Sequence, residues 1–205
     1  MSITRTAVRL KVTLDRVEPE VMRRLVVPLT IRLDRLHLTL QAAFGWTNTH
    51  LYAFTAGGVE WGIPDPDFST GDQPVDARKA RLYDIVRDTG AKTIRYLYDF
   101  GDDWQHVIKL ERRFENADTV GMPLLLEVSG RCPPEDIGGP EGYAAFLAAL
   151  ADAAHSGHAE ALETAPAGFD PTTVDRTKLE RQVDALAQKW LPRSARKRPV
   201  SSQIP

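Results

Sequence analysis

The chain has 205 residues, of which 42% are hydrophobic and 26% charged, and its formal net charge is −2. This length is enough to bury the core of one domain, and we expect a single domain over residues 1–191. The weak acidic excess excludes a broad nucleic-acid-binding surface, since such a surface needs many Lys and Arg side chains. The single cysteine, Cys132, excludes an internal disulfide and a multi-cysteine metal centre.

The two ends of the sequence carry different signals. The first residues lead directly into an alternating segment, without the apolar run of a secretion signal or a membrane span, so we expect a cytoplasmic protein with no membrane partner. Residues 192–205 are rich in Arg, Lys and Pro, which predicts a basic, flexible tail. Nucleic acid is expected to bind only through this tail.

The first half of the chain predicts two strands and a helix. Residues 7–17 alternate apolar and polar side chains, which is typical of a half-buried strand, and residues 21–27 form its antiparallel neighbour. Apolar residues then recur every 3.6 positions over residues 30–44, which predicts a helix. Thr30 is the expected N-terminal cap of this helix and Gly45 its C-terminal cap.

The centre of the chain predicts a hairpin, a loop and a short helix. Residues 51–54 and 59–61 flank a pair of glycines, which suit the positive φ of a tight turn. The Pro- and Asp-rich residues 63–75 are typical of a surface loop. A short helix over residues 78–86 is expected to follow.

The second half supplies the remaining strands and helices. Residues 93–100 and 104–114 form a hairpin around an acidic turn, and residues 123–128 form a further strand. Helices are expected from Pro140 and over residues 175–190. The sequence therefore predicts an α+β fold, with a mostly antiparallel sheet built from hairpins and three main helices packed against it.

The acidic turn is the first candidate site. Asp99, Asp102 and Asp103 lie close together in the sequence, and His106 follows on the outgoing strand. Hard cations bind several oxygens, and a histidine beside a carboxylate can transfer protons, so these four residues are the candidate metal ligands. Turns use the same residue types for their own backbone, which favours a structural turn. His106 shares its strand face with Trp104, which also fits a core histidine.

Two other loops carry candidate binding residues. A polar, aromatic corner after the first helix contains Trp46 and His50, and loops held by rigid elements often bind partners. A second loop contains Glu135 and Asp136 beside two glycines, but paired carboxylates repel the anion that such glycines could bind. Acidic neighbours also argue against a reactive Cys132, because they raise a thiol pKa. The complete set of candidate binding residues is Trp46, His50, Asp99, Asp102, Asp103, Trp104, His106, Glu135 and Asp136.

Three sequence blocks together resemble the plasmid pRiA4b ORF-3-like family, whose members are also described as passengers of insertion elements. The blocks are LHLTLQAAFGW at residues 36–46, YLYDFGDDWQH at residues 96–106 and PPEDIGG at residues 133–139. The resemblance spans most of residues 4–190. It implies an α+β domain of mobile-element origin and carries no established activity.

Members of this family have been labelled resolvase-like, and the sequence does not support that label. A serine recombinase needs a nucleophilic Ser after an early strand and several grouped Arg residues. Ser2 precedes the first strand, and Ser69, Ser129 and Ser156 lack such a setting. Hydrolase, protease and dehydrogenase motifs are also missing, so no catalytic residue and no cofactor is assigned.

Three functions remain open from the sequence. The leading hypothesis is a non-catalytic binding or accessory module whose acidic and aromatic corners contact a protein or peptide partner. The first alternative is a metal-assisted hydrolase or nuclease that uses the acidic turn, His106 and Glu135 with Asp136 around one ion, which requires the two loops to meet. The second alternative is a DNA-associated accessory protein that binds through the tail.

Overall fold

The computed structural model describes residues 3–65, 67 and 73–191, so the predicted tail over residues 192–205 lies outside the described residues. A short 3₁₀ helix over Ile3–Arg5 precedes the first strand. The strands are β1 (Ala7–Leu14), β2 (Met22–Pro28), β3 (Tyr52–Ala56), β4 (Val59–Gly62), β5 (Val75–Asp76), β6 (Thr93–Tyr98), β7 (Trp104–Phe114) and β8 (Leu124–Ser129). The helices are α1 (Leu33–Phe44), α2 (Leu82–Thr89), α3 (Gly139–Ala151), α4 (His158–Thr164) and α5 (Arg176–Trp190).

The strands form one eight-stranded sheet in the order β5-β4-β3-β6-β7-β1-β2-β8. Every pairing is antiparallel except that of β4 with β5. Side chains on one face of β1, including Val8, Leu10 and Val12, are fully buried, whereas Arg9 and Lys11 between them are partly exposed. The predicted α+β class and the alternation in β1 are therefore confirmed.

The hairpin of β6 and β7 is also confirmed, with Tyr98 paired to Trp104 across its end. Its turn is tight because the Asp103 amide donates to the Asp99 carbonyl oxygen over 2.8 Å. Both aspartates adopt positive φ, which Asp tolerates better than most residues. The predicted strand to residue 100 is wrong, since the turn starts at Asp99 and leaves Phe100 exposed.

Helix α1 is present as expected and ends at Gly45, whose φ of 88° closes the helix. The predicted Thr30 cap is wrong: Arg32 precedes the helix and makes no side-chain cap hydrogen bond. The apolar stripe of α1 is buried against the sheet and α5. Within the described ranges, no helix combines the length and the apolar character of a membrane span.

Several element boundaries differ from the prediction. The strand predicted over residues 7–17 ends at Leu14. Helix α2 begins at Leu82 rather than at residue 78, because the Asp76 carboxylate and carbonyl accept the amides of Arg78 and Lys79 in a separate turn. Strand β5 and helix α4 were not expected, and both are short.

A buried arginine joins three elements. Arg23 in β2 is completely buried, and its Nε donates to the Ala43 carbonyl oxygen near the end of α1 over 2.7 Å. Its Nη1 donates to the carbonyl oxygens of Ser129 and Gly130, at 2.7 and 3.1 Å. The guanidinium also lies 5.0 Å from the centre of the Phe44 ring. Arg23 thereby holds the end of α1 beside the end of β8.

A buried polar network fastens α1 to the sheet. His37 Nδ1 lies 2.8 Å from the Tyr96 hydroxyl, its Nε2 faces the Asn48 side-chain oxygen, and its ring stacks on Tyr52 at 3.6 Å. The Gln41 amide donates to the same Tyr96 hydroxyl over 3.1 Å. Burial lowers the pKa of His37 to about 4, so this histidine is neutral at pH 7.

The loop after β8 packs directly on the turn between β6 and β7. The Gly138 amide donates to Asp102 Oδ2 over 3.2 Å. A Cβ atom on Gly139 would lie only 2.2 Å from the Asp102 carbonyl oxygen, and Gly139 has a φ of 70°. Only glycine fits this contact, because both its backbone conformation and its neighbour exclude a side chain.

Stability is expected to fall as the pH drops below 6.5. Burial lowers the pKa of His37 to about 4 and of His106 to about 3, against 6.5 for a free histidine. Between pH 6.5 and 4 the two histidines therefore bind protons in the unfolded chain but not in the folded chain. The free energy of unfolding falls as the pH falls in this range, and the contribution of the two neutral rings is complete only above pH 6.5. The free energy of unfolding, measured with urea, should fall by roughly 1 to 2 kcal/mol per histidine between pH 6.5 and 5. A flat profile in this range would contradict the buried, neutral state of both rings.

Replacement of Gly139 should loosen the contact between the loop and the turn. Gly139→Ala is expected to cost at least about 2 kcal/mol in unfolding free energy, because it adds a backbone clash to an unfavourable φ. Gly168→Ala is the matched control: its φ is 65°, but no atom lies within 4 Å of the added carbon. Equal losses for the two variants would show that the contact with Asp102 contributes nothing.

Candidate functional site

Three segments that are far apart in the sequence meet at one corner of the sheet. They are the link from α1 to β3 (residues 45–51), the β6–β7 turn (residues 99–103) and the loop from β8 to α3 (residues 130–138). Trp46 Nε1 donates to the Pro133 carbonyl oxygen over 3.0 Å and so fixes the first segment to the third. The acidic turn and the Pro-Pro-Glu-Asp loop are thus neighbours.

Glu135 is the polar centre of this corner. Its carboxylate accepts the Tyr98 hydroxyl over 2.6 Å and the Thr47 amide over 3.0 Å. The Thr49 amide in turn donates to the Tyr98 oxygen over 3.1 Å. Burial, together with the neighbouring Glu135 carboxylate, raises the pKa of Tyr98. Glu135 therefore serves the architecture of the corner, since hydrogen bonds from the protein already occupy both of its oxygens.

A histidine and two carboxylates converge beside Glu135. His50 Nε2 lies 3.3 Å from Asp136 Oδ1 and 3.6 Å from Asp99 Oδ2. The three potential ligand atoms lie within 4.8 Å of one another. His50 Nε2 is buried and makes no hydrogen bond within the described chain, although two acceptors face it. The geometry leaves a polar gap between one imidazole nitrogen and two carboxylate oxygens.

The side chains of His50, Asp99 and Asp136 differ in how they are held and in how exposed they are. Asp99 is held by its other oxygen, which accepts the Gly101 amide over 3.0 Å, so Oδ2 stays available for the gap. Asp99 is only 8% exposed, whereas the side chain of Asp136 is 76% exposed. His50 packs its ring edge-on against Tyr98, with ring centres 5.7 Å apart. The gap therefore has a buried wall and an open side.

Nitrogen and carboxylate oxygen ligands in this number match a divalent transition metal. Zn²⁺ and Mn²⁺ accept imidazole nitrogen with carboxylate oxygens, whereas Ca²⁺ prefers more oxygens. Three protein ligands would leave coordination positions free on the open side. A basic side chain from another molecule is the other cation that fits such an acidic gap.

Three of the predicted binding residues lie in the core instead. Trp104 and His106 have no exposed surface, and Trp46 is 8% exposed. Their rings pack together: Trp46 lies 5.7 Å from Trp104 and 5.3 Å from His106 between ring centres. The prediction of Trp104 and His106 as contact residues is wrong, because the face of β7 that they share points into the core. Trp46 follows α1, and its indole nitrogen holds the corner together through Pro133.

The prediction of His106 as a metal ligand is also wrong. Its Nδ1 lies 3.0 Å from the Trp104 carbonyl oxygen and 3.2 Å from that of Tyr96, so Nδ1 carries the proton. Burial lowers its pKa to about 3. The alternative interpretation of His106 as a core histidine is the one that the structure supports.

The remaining acids of the turn make local contacts. Asp102 Oδ2 accepts the Gly138 amide, as described above. Asp103 Oδ2 pairs with Arg16 at 2.7 Å, and Arg16 also reaches Glu141 at 3.1 Å. Of the four predicted metal ligands, only Asp99 belongs to the cluster with His50 and Asp136.

Sequence reasoning missed one residue that positions the site. Tyr98 bonds to Glu135 and Thr49, and nothing in its spacing distinguishes it from an ordinary strand residue. Thr47 and Asn48 belong to the polar corner that the sequence indicates, and their amides bond to Glu135 and Gln41. His50 and Asp136 were both predicted to bind, but their proximity depends on the way three segments fold together. Paired positive φ values at Asp99 and Asp136 are visible only in the structure.

Comparisons with other proteins agree with this architecture. The chain is 55% identical over 193 residues to the uncharacterized protein y4hQ of Sinorhizobium fredii, which covers 94% of this chain and 98% of that protein. A crystal structure of MM3350, a protein of unknown function from Methanosarcina mazei Go1, superimposes with a TM-score of 0.72 at 29% identity and covers 84% and 96% of the two chains. The model of the plasmid pRiA4b ORF-3-like protein family matches residues 6–178. With a match of this extent, the chain belongs to the plasmid pRiA4b ORF-3-like family.

Proposed function

We propose that the chain is a non-catalytic binding module whose site holds a divalent transition-metal ion between His50, Asp99 and Asp136. One observation carries the proposal: His50 Nε2 is buried, makes no hydrogen bond to the residues that the structure describes, and faces two carboxylate oxygens at 3.3 and 3.6 Å. In the tautomer that carries its proton on Nδ1, the Nε2 lone pair of His50 points toward the two carboxylates and is repelled by them. A bound cation turns that repulsion into attraction for all three groups.

The placement of the ligands supports binding rather than a purely structural ion pair. A protonated His50 would satisfy the charges, but its distances to both oxygens exceed those of a good charge-assisted hydrogen bond. A metal ion between the three groups makes shorter bonds to each of them. It also connects three chain segments, so it stabilises the corner as a whole.

The surroundings of the cluster favour a partner on the open side. Leu51 and Phe100, the chain neighbours of His50 and Asp99, are 57% and 53% exposed. Exposed apolar side chains beside a polar site are typical of contact surfaces. A protein or peptide segment that places a carboxylate on the ion and an apolar side chain on Phe100 matches this arrangement.

The hydrolase alternative lacks its general base in this geometry. His106 is sealed in the core, and Asp102, Asp103 and Glu135 each accept a hydrogen bond or ion pair from the protein. A metal-assisted hydrolysis needs a side chain within reach of the attacking water. The described acids near the cluster all have structural partners, which favours binding over catalysis.

Calorimetric titration with Zn²⁺, Mn²⁺ and Mg²⁺ tests the metal site. We expect saturable binding of one Zn²⁺ or Mn²⁺ ion per chain and weaker binding of Mg²⁺, which avoids nitrogen ligands. His50→Gln and Asp136→Asn should each weaken binding at least about tenfold, a loss of about 1.4 kcal/mol. Zn²⁺ should also raise the melting temperature of the native chain and not that of the variants.

His155→Gln and Asp152→Asn are the matched controls, because these side chains accept backbone amides in the turn between α3 and α4 and do not belong to the cluster of His50, Asp99 and Asp136. They should bind the ion like the unaltered chain. If no ion binds, or if the controls lose affinity as much as the site variants do, the proposed function is wrong.

A further inference from the structure

We propose a second site, for a small organic carboxylate, in the pocket on the other side of the Pro133–Glu135 segment. The pocket has a volume of about 400 Å³ and lies between this segment, the end of α1 and the start of α5. That volume is in the range of small-molecule sites, roughly 300 to 1,000 Å³. This site is independent of the cation cluster and does not require the proposed metal ion.

The buried cation is the main argument. Arg23 lines the pocket and has no exposed surface, and all its hydrogen bonds end on backbone carbonyl oxygens. Its Nη2 is buried without a hydrogen-bond partner in the described chain. Among the described residues no carboxylate pairs with this guanidinium; burial of an unpaired charge is costly, and burial lowers the pKa of Arg23.

The neighbouring thiol does not supply the missing charge. Cys132 also lines the pocket and is partly buried, and burial raises its pKa, so the group stays a neutral thiol at pH 7. This agrees with the expectation that Cys132 is unreactive. An anion from outside the chain is therefore the group that balances Arg23.

Two further cations lie around the pocket. Arg131 is partly buried, stacks over the Phe169 ring at 4.7 Å and lies 3.4 Å from the Gly168 carbonyl oxygen. Lys178 is exposed on the first turn of α5. The lining also holds two acids: Glu135, which accepts the Tyr98 hydroxyl, and Asp175, which caps α5 by accepting the Lys178 amide over 2.9 Å. The cations Arg23, Arg131 and Lys178 outnumber these two acids by one.

The side chains that line the pocket indicate which class of anion fits it. Phe44, Trp46 and Phe169 line the pocket together with three prolines, so a ligand with an aromatic or apolar body finds rings to pack against beside the polar groups. A small, strongly hydrated anion such as phosphate gains little from such walls. A carboxylate on an aromatic or apolar body places its charge near the cations and its body against the rings, and the planar Arg fork suits a carboxylate.

Benzoate is a suitable probe, with benzyl alcohol and inorganic phosphate as comparators. Trp46 lines the pocket, so tryptophan fluorescence of the full chain should change saturably with benzoate. We expect benzoate to bind at least about tenfold more tightly than either comparator. Equal affinity for benzyl alcohol would show an apolar pocket without an anion site, and tighter binding of phosphate would assign a different anion; either result overturns the proposal.

The variant Arg131→Gln/Lys178→Gln tests the role of charge without touching the buried Arg23, whose replacement endangers folding. It should weaken benzoate binding about tenfold and leave Zn²⁺ binding unchanged. Arg181→Gln, an exposed change on the same helix, is the control and should not alter affinity. An unchanged benzoate affinity in the double variant, or no benzoate binding by the unaltered chain, overturns the proposal. Neither result bears on the proposed metal site, because calorimetric titration with metal ions tests that site separately.

Discussion

The buried guanidinium of Arg23 is the constraint on which the rest of the corner depends. It binds the last turn of α1 through Ala43 and the end of β8 through Ser129 and Gly130. The chain leaves α1 toward His50 and leaves β8 toward Asp136, so one side chain sets the distance between the two loops. Replacement by a flexible amine would lose the fork that reaches both ends. The corner is therefore organised from inside the core rather than by its surface contacts.

The sequence predicts the sheet well because its strands obey a simple rule. The side chains of β1 and β7 alternate because one face of these strands packs under helices. The acidic turn indicates a hairpin because its residues tolerate positive φ. The ends of elements follow less local rules. Helix α2 starts late because Asp76 captures two amides before it, and no periodicity reveals such a competition. Two-residue β5 is below the length at which any pattern exists.

The candidate site was only partly predictable for a related reason. Residue types identified the acidic turn, the corner at His50 and the Pro-Pro-Glu-Asp loop as unusual, and the structure brings these loops together. The type of a residue does not tell whether its side chain faces solvent or core, so Trp104 and His106 looked like site residues. Asp99 shares their hairpin but lies after the last strand pair, where the turn directs its carboxylate outward to His50.

The site is assembled from segments that lie 37 to 88 positions apart in the sequence, and this has a consequence for folding. Glu135 bonds to Thr47 and Tyr98 across 88 and 37 positions, and Trp46 reaches Pro133 across 87. Contacts of such separation form late, because closing the long loops between them costs conformational entropy. The corner is thus a property of the finished fold: His50, Asp99 and Asp136 meet only after β8 has joined the sheet and the loop that follows it has packed on the β6–β7 turn.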